Sequence, residues 1–116
     1  VDAKVILVHF WTATEAAQKM FNVELLKSIY NDYHKRGFEI YQVAIDSSKA
    51  LWINAVQEQQ LPWTSVVDLR GEHSPILSTY NIKSLPANFL IDREGNIVAK
   101  NIYGEELVRQ IEKLTL

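Results

Sequence analysis

Lys4-Val5-Ile6-Leu7-Val8-His9-Phe10 is a short, largely β-branched apolar run, the pattern of a strand covered on both faces. Beyond it Met20, Val23, Leu26, Ile29, Tyr30 and Tyr33 recur at steps of three and four, which predicts an amphipathic helix. Thr12 or Thr14 can cap its start, and Glu15 suits the positive end of its dipole. Lys35 and Arg36 suit its last turn and Gly37 its stop. A second strand, Phe38 to Ile45, halts at Asp46-Ser47-Ser48, where a serine can cap the next helix. That helix is predicted to run to about Gln60 and to bury Leu51, Trp52 and Val56. Pro62 breaks the pattern, and Trp63 to Leu69 reads as a connector with a short extended piece at Val66-Val67. Gly71 to Ser74 is a loop, and Pro75 opens a short helix that ends near Tyr80-Asn81.

Ala87 to Asp92 and Ile97 to Ile102 flank the turn residues Arg93-Glu94-Gly95-Asn96, which predicts an antiparallel hairpin. Gly104-Glu105-Glu106 opens a last helix with Leu107, Val108, Ile111 and Leu114 on one face. The order is thus β-α-β-α, a short helix, a hairpin and a helix. A crossover helix makes the first two strands parallel and right-handed. The hairpin then adds antiparallel, giving an α/β sheet with helices on both faces.

With 116 residues, residues 1–116 form one domain, and 47% hydrophobic residues are enough for a core. Twelve Lys+Arg against 14 Asp+Glu leave a formal charge of -2, so no basic field points to nucleic acid or an anionic membrane. Cysteine is absent, which excludes disulfides, thiolate metal sites and thiol nucleophiles within these residues without fixing a compartment. Three scattered histidines have no metal-ligand spacing, and isolated glycines form no phosphate loop. Neither a metal nor another cofactor is expected. No apolar run approaches the roughly 20 residues of a membrane span, so direct insertion is not expected. The sequence opens on Val1 and enters a strand within four residues, which suggests the C-terminal fragment of a longer protein.

Ile6-Leu7-Val8-His9-Phe10-Trp11-Thr12, the Pro62-Trp63 to Asp68 connector and Pro86-Ala87-Asn88-Phe89-Leu90-Ile91-Asp92 with the hairpin together resemble the thioredoxin fold. More narrowly, nearly the whole chain is similar to TlpA/ResA-type thiol:disulfide oxidoreductases, in the wider AhpC/TSA-related superfamily. The resemblance implies a four-stranded mixed sheet in the order 2-1-3-4, with an extra helix between the second strand and the hairpin. It also implies a Cys-x-x-Cys four residues beyond Trp11, where Glu15 and Gln18 stand with Ala16 and Ala17 between them. Dithiol exchange needs an activated thiolate and a resolving thiol, and neither of these side chains can bond to sulfur. His9 occupies the position where many relatives hold a buried, proton-shuttling acid. Pro86 matches a proline that the family holds in cis, beside a loop that pairs with an extended peptide.

Each candidate also has a plain structural explanation. Glu15 is either an acid/base group or an exposed acid at a helix start. His9 is either a pH-sensitive group or a neutral, hydrogen-bonded core residue. Trp11 and Trp63 either line an apolar peptide groove with Leu85 and Pro86 or fill the core. The reading favoured by these residues is a redox-inactive domain that binds an extended peptide or partner protein around the proline loop. The alternatives are divergent chemistry centred on Glu15 and His9, or a structural domain of a longer cell-envelope protein. An extracytoplasmic location is implied by the resemblance alone.

Overall fold

The computed structural model describes residues 3–116. Strand β1 (Val5–Trp11) forms the centre of the sheet. Its alternation sends Val5, Leu7, His9 and Trp11 to one face and Ile6, Val8 and Phe10 to the other. β2 (Phe38–Ile45) runs parallel to β1 with Val5 opposite Phe38 and Trp11 opposite Ala44. β4 (Ala87–Asp92) lies antiparallel on the other side and pairs in turn with β5 (Ile97–Lys100).

The sheet has five strands, in the order β3-β2-β1-β4-β5, rather than the four expected. The additional strand is β3 (Thr64–Asp68), which extends the short piece expected at Val66-Val67. Three β-branched residues lie between Pro62 and Asp68, and the helix before them is long enough for a parallel crossover. Val66 accordingly pairs with Val43, and Asp68 with Ile45. The remaining strands keep the expected relative order.

Between β1 and β2 the chain forms α1 (Ala16–Phe21), a π-helical turn at Asn22–Leu26, α2 (Lys27–Tyr33) and a 3₁₀ turn at His34–Arg36. Gly37 ends it at φ +102°, and an added β-carbon there would lie 2.9 Å from the Lys4 side chain. Leu26, Ile29 and Tyr30 are buried as the periodicity predicts, but Met20 is exposed. The buried positions leading into the π turn are Gln18 and its first residue, Asn22, and Met20 lies between them, exposed. Thr12 does not cap this helix; its hydroxyl donates to Asp46 Oδ1 instead.

Helix α3 (Lys49–Gln59) starts at Ser48, whose hydroxyl accepts from the Leu51 N–H. Leu51 itself is exposed, because the inward face is set by Ala55 and Gln59, with Trp52 and Val56 half-buried. Helix α4 (Pro75–Thr79) has Ser74 as its cap and proline at its start, and α5 (Gly104–Leu114) buries Leu107 and Ile111. One face of the sheet packs Val5, Leu7, Ile40 and Leu90 under α2 and α5. The opposite face packs Phe10, Val43 and Phe89 against Ile76 and Leu77 of α4.

Asp68 joins β3 to α4. Its carboxylate accepts from the Arg70 main-chain N–H and guanidinium and from the Ser74 hydroxyl. The Arg70 hydrogen bonds hold this carboxyl well below the usual carboxylate range, and burial only partly opposes them. The group therefore adds stability above the unfolded carboxyl pKa of about 4, and this is lost as pH falls below that value. Arg70 is mostly exposed, which weakens the charge part of the effect. Asp68→Asn is expected to cost about 1–2 kcal/mol at neutral pH and to flatten the acid limb of the stability curve, as read by thermal or urea unfolding.

Candidate functional site

A chain of amide and ring hydrogen bonds lies inside the core, beneath the start of α1. Gln42 is fully buried on β2, opposite His9 on β1. Trp63 Nε1, which can only donate, gives its proton to Gln42 Oε1 at 2.9 Å, and this fixes the amide orientation. Gln42 Nε2 then donates both its protons, to Asn22 Oδ1 at 2.8 Å and to His9 Nδ1 at 3.0 Å. Asn22 Nδ2 continues to Gln59 Oε1 at 3.1 Å. Lys27 Nζ closes over the end by donating to the Gln59 carbonyl at 2.8 Å.

Because His9 Nδ1 accepts, its ring proton sits on Nε2. Among the described residues that nitrogen is buried without a partner. Burial lowers the His9 pKa from 6.5 to about 3, so the ring is neutral at neutral pH. His9 is a core histidine sealed from solvent, whereas Glu15 is exposed, so the fold does not join the two at a common surface.

The loop that leads into α1 is clamped from two sides. Asp46, at the end of β2, accepts from the Thr12 hydroxyl and from the Ala13 N–H at 3.1 Å. Gln18 is buried in the first turn of α1, and its Oε1 accepts from the Thr12 N–H at 2.8 Å. Its side chain therefore holds backbone, while Glu15, just before the helix, faces solvent.

Leu85–Pro86 is a cis peptide bond, and both residues are half-buried. The Pro86 carbonyl accepts from the Tyr103 hydroxyl at 3.1 Å. Among the described residues neither main-chain polar group of Leu85 is hydrogen-bonded. Beside it Thr12, Ile45, Leu77, Ile82 and Leu85 border a cleft of about 250 Å³. The cleft continues past Thr12 into a polar hollow of about 440 Å³ at Thr14, Asp46 and His73. Trp11 and Trp63 do not reach this surface. Trp11 is fully buried with Ala44 and Ala55, and Trp63 is held inward by its bond to Gln42. The groove walls are instead Ile45, Leu77 and Ile82, whose roles no local motif disclosed. Asp46 likewise read only as a strand stop. Gln42 did leave a signal, a polar residue in phase with the buried Phe38, Ile40 and Ala44.

No described helix is long and apolar enough to cross a membrane, and no group of three or more described acidic or histidine side chains is placed to hold a metal.

The neutral, buried His9 has a measurable consequence. Between about pH 6.5 and pH 3 the unfolded chain binds a proton at this residue that the folded chain does not. Its contribution is complete above pH 6.5 and declines as pH falls, by at most about 1.4 kcal/mol per pH unit. Urea titrations of the wild type and His9→Gln across that range should show the extra slope in the wild type alone. Equal slopes would contradict a neutral, buried ring.

Residues 2–97 match the family model described as thioredoxin-like. The chain is 29% identical over 113 residues to the thiol-disulfide oxidoreductase ResA of Bacillus cereus, covering 97% of this chain and 62% of that protein. Among solved structures, the C-terminal domain assigned to a thiol-disulfide oxidoreductase of Bacteroides thetaiotaomicron superimposes with a TM-score of 0.87 at 34% identity, over 98% of this chain and 78% of that one. A thiol-disulfide oxidoreductase from Bacteroides fragilis gives a TM-score of 0.86 at 30% identity, over 96% and 81%. The chain thus belongs to the thioredoxin-like family and is a relative of the ResA thiol-disulfide oxidoreductases that contains no cysteine.

Proposed function

We propose that this domain binds an extended peptide or partner segment along the lip formed by Leu85 and Pro86, without thiol chemistry. The observation that carries the proposal is the unbonded main chain of Leu85 beside a cleft with apolar walls. An extended segment can hydrogen-bond to those two groups as to a sheet edge and set alternate side chains into the cleft. Such recognition uses main chain and shape, so it needs no sulfur.

Glu15 and Gln18 are the residues we assign to the two positions that carry thiols in dithiol relatives. A carboxylate cannot attack a disulfide to form a mixed disulfide, and an amide cannot resolve one. The exposure of Glu15 and the engagement of Gln18 with the Thr12 backbone both fit a structural use of these positions. Placement outside the cytoplasm belongs to the same proposal, on likeness to ResA-type proteins alone.

Two measurements test this reading. Insulin-disulfide reduction with dithiothreitol should proceed at the protein-free rate, while the E15C/Q18C double variant should rise above it. A double variant that stays at background while folded would contradict the assignment of these positions. Titration with a reduced, carboxymethylated polypeptide should shift the amide resonances of Thr12, Ser84 and Leu85. Unchanged resonances at saturating polypeptide, or shifts confined to other faces, would refute the groove.

A further inference from the structure

Two hollows with chemically different linings meet at Ile82, Lys83 and Ser84, next to Leu85. The first is the cleft of about 250 Å³ walled by Ile45, Leu77, Ile82 and Leu85. Its aliphatic walls suit an aliphatic side chain. The second, a hollow of about 270 Å³, is bordered by Lys83, Lys100, Asn81 and Asn101. Lys83 borders both, so the two subsites share a wall.

Both lysines are exposed, and among the described residues neither forms an ion pair. Lys100 Nζ rests 5.6 Å from the centroid of the Phe89 ring. The acid nearest the apolar side is Glu72, which borders that cleft and lies 3.8 Å from His73 Nε2. Lys83 and Lys100 thus bring two unpaired positive charges to the second hollow, although the sequence as a whole is net negative at -2.

Resting on the peptide-binding reading above, we infer that the preferred segment is aliphatic and acidic. One aliphatic side chain fills the Ile45–Leu77–Ile82 cleft, and the carboxylate of the adjacent residue lies between Lys83 and Lys100. Extended chain rises about 3.3 Å per residue, which keeps two such side chains within reach of subsites that share one lysine. The amide groups of Asn81 and Asn101 supply further donors to the carboxylate. Exposed charge pairs are individually weak, so the acid sets selectivity more than total affinity.

Labelled peptides with a common Gly/Ser/Thr frame and a central Leu–Glu, Leu–Gln, Leu–Lys or Ser–Glu pair would test this by fluorescence anisotropy. Leu–Glu should bind about three- to tenfold more tightly than Leu–Gln at low salt, with the gap narrowing towards about 0.15 M salt. Leu–Lys and Ser–Glu should both be weaker than Leu–Glu. In the K83Q/K100Q variant, Leu–Glu and Leu–Gln should become equal. If Leu–Glu and Leu–Gln bind the wild type equally, or their gap survives in that variant, the acidic preference is wrong and the groove reading stands. If none of the peptides binds, both fail.

Discussion

Gln42 lies in the middle of the sheet with no access to water, and its three hydrogen bonds tie β1, the helix that follows it and the segment entering β3 into one unit. A buried amide that loses a partner costs about 1–3 kcal/mol for each group stranded, so these elements cannot shift independently. The π turn begins at Asn22, the residue whose side chain bonds Gln42 and Gln59 at once. The helix widens where it meets the network, and the loop into its first turn is held by Gln18 and Asp46. His9 is neutral because it is buried, and the Gln42 amide, by donating to Nδ1, selects the tautomer with its proton on Nε2.

On the assignment proposed for Glu15 and Gln18, that anchored first turn is where a dithiol relative would place its sulfurs. Here the sequence supplies an exposed carboxylate and a buried amide, and the amide is spent on holding the Thr12 backbone. Asp46 holds the same loop from the β2 side. What these bonds preserve is shape: a fixed loop, a cleft beside it and a stretch of main chain at Leu85 with open hydrogen-bonding groups. The proposed recognition rests on that surface and uses main chain and shape, so the absence of cysteine does not remove it.

The sequence discloses most of the architecture because its elements carry strong local signals. The run Val5 to Phe10, the capped start at Ser48, Ser74-Pro75 and the turn at Arg93 to Asn96 all stand where periodicity and turn chemistry place them. The fifth strand was only half visible, because five residues beside a proline give little period to read and their pairing with β2 is a tertiary matter. The positions of Met20 and Leu51 escaped for a related reason. A three- or four-residue step tolerates several phases, and a π turn or a small residue such as Ala55 decides which face turns inward. The candidate site was legible in its loops and not in its walls. Leu85 and Pro86 stood out by motif, whereas Ile45, Leu77 and Ile82 meet only through the fold, and the two tryptophans near the motif turn inward.

Amide hydrogen exchange at Leu85 reads the central feature of this account directly, since its N–H faces no partner in the folded chain among the described residues. With a Leu–Glu peptide at saturation, exchange at Leu85 should slow markedly, as local protection distinct from the uniform slowing that ligand stabilisation gives the core amides of β1 and β2. An unaltered Leu85 rate alongside demonstrable peptide binding would show that the main chain at the proline loop is not the recognition surface.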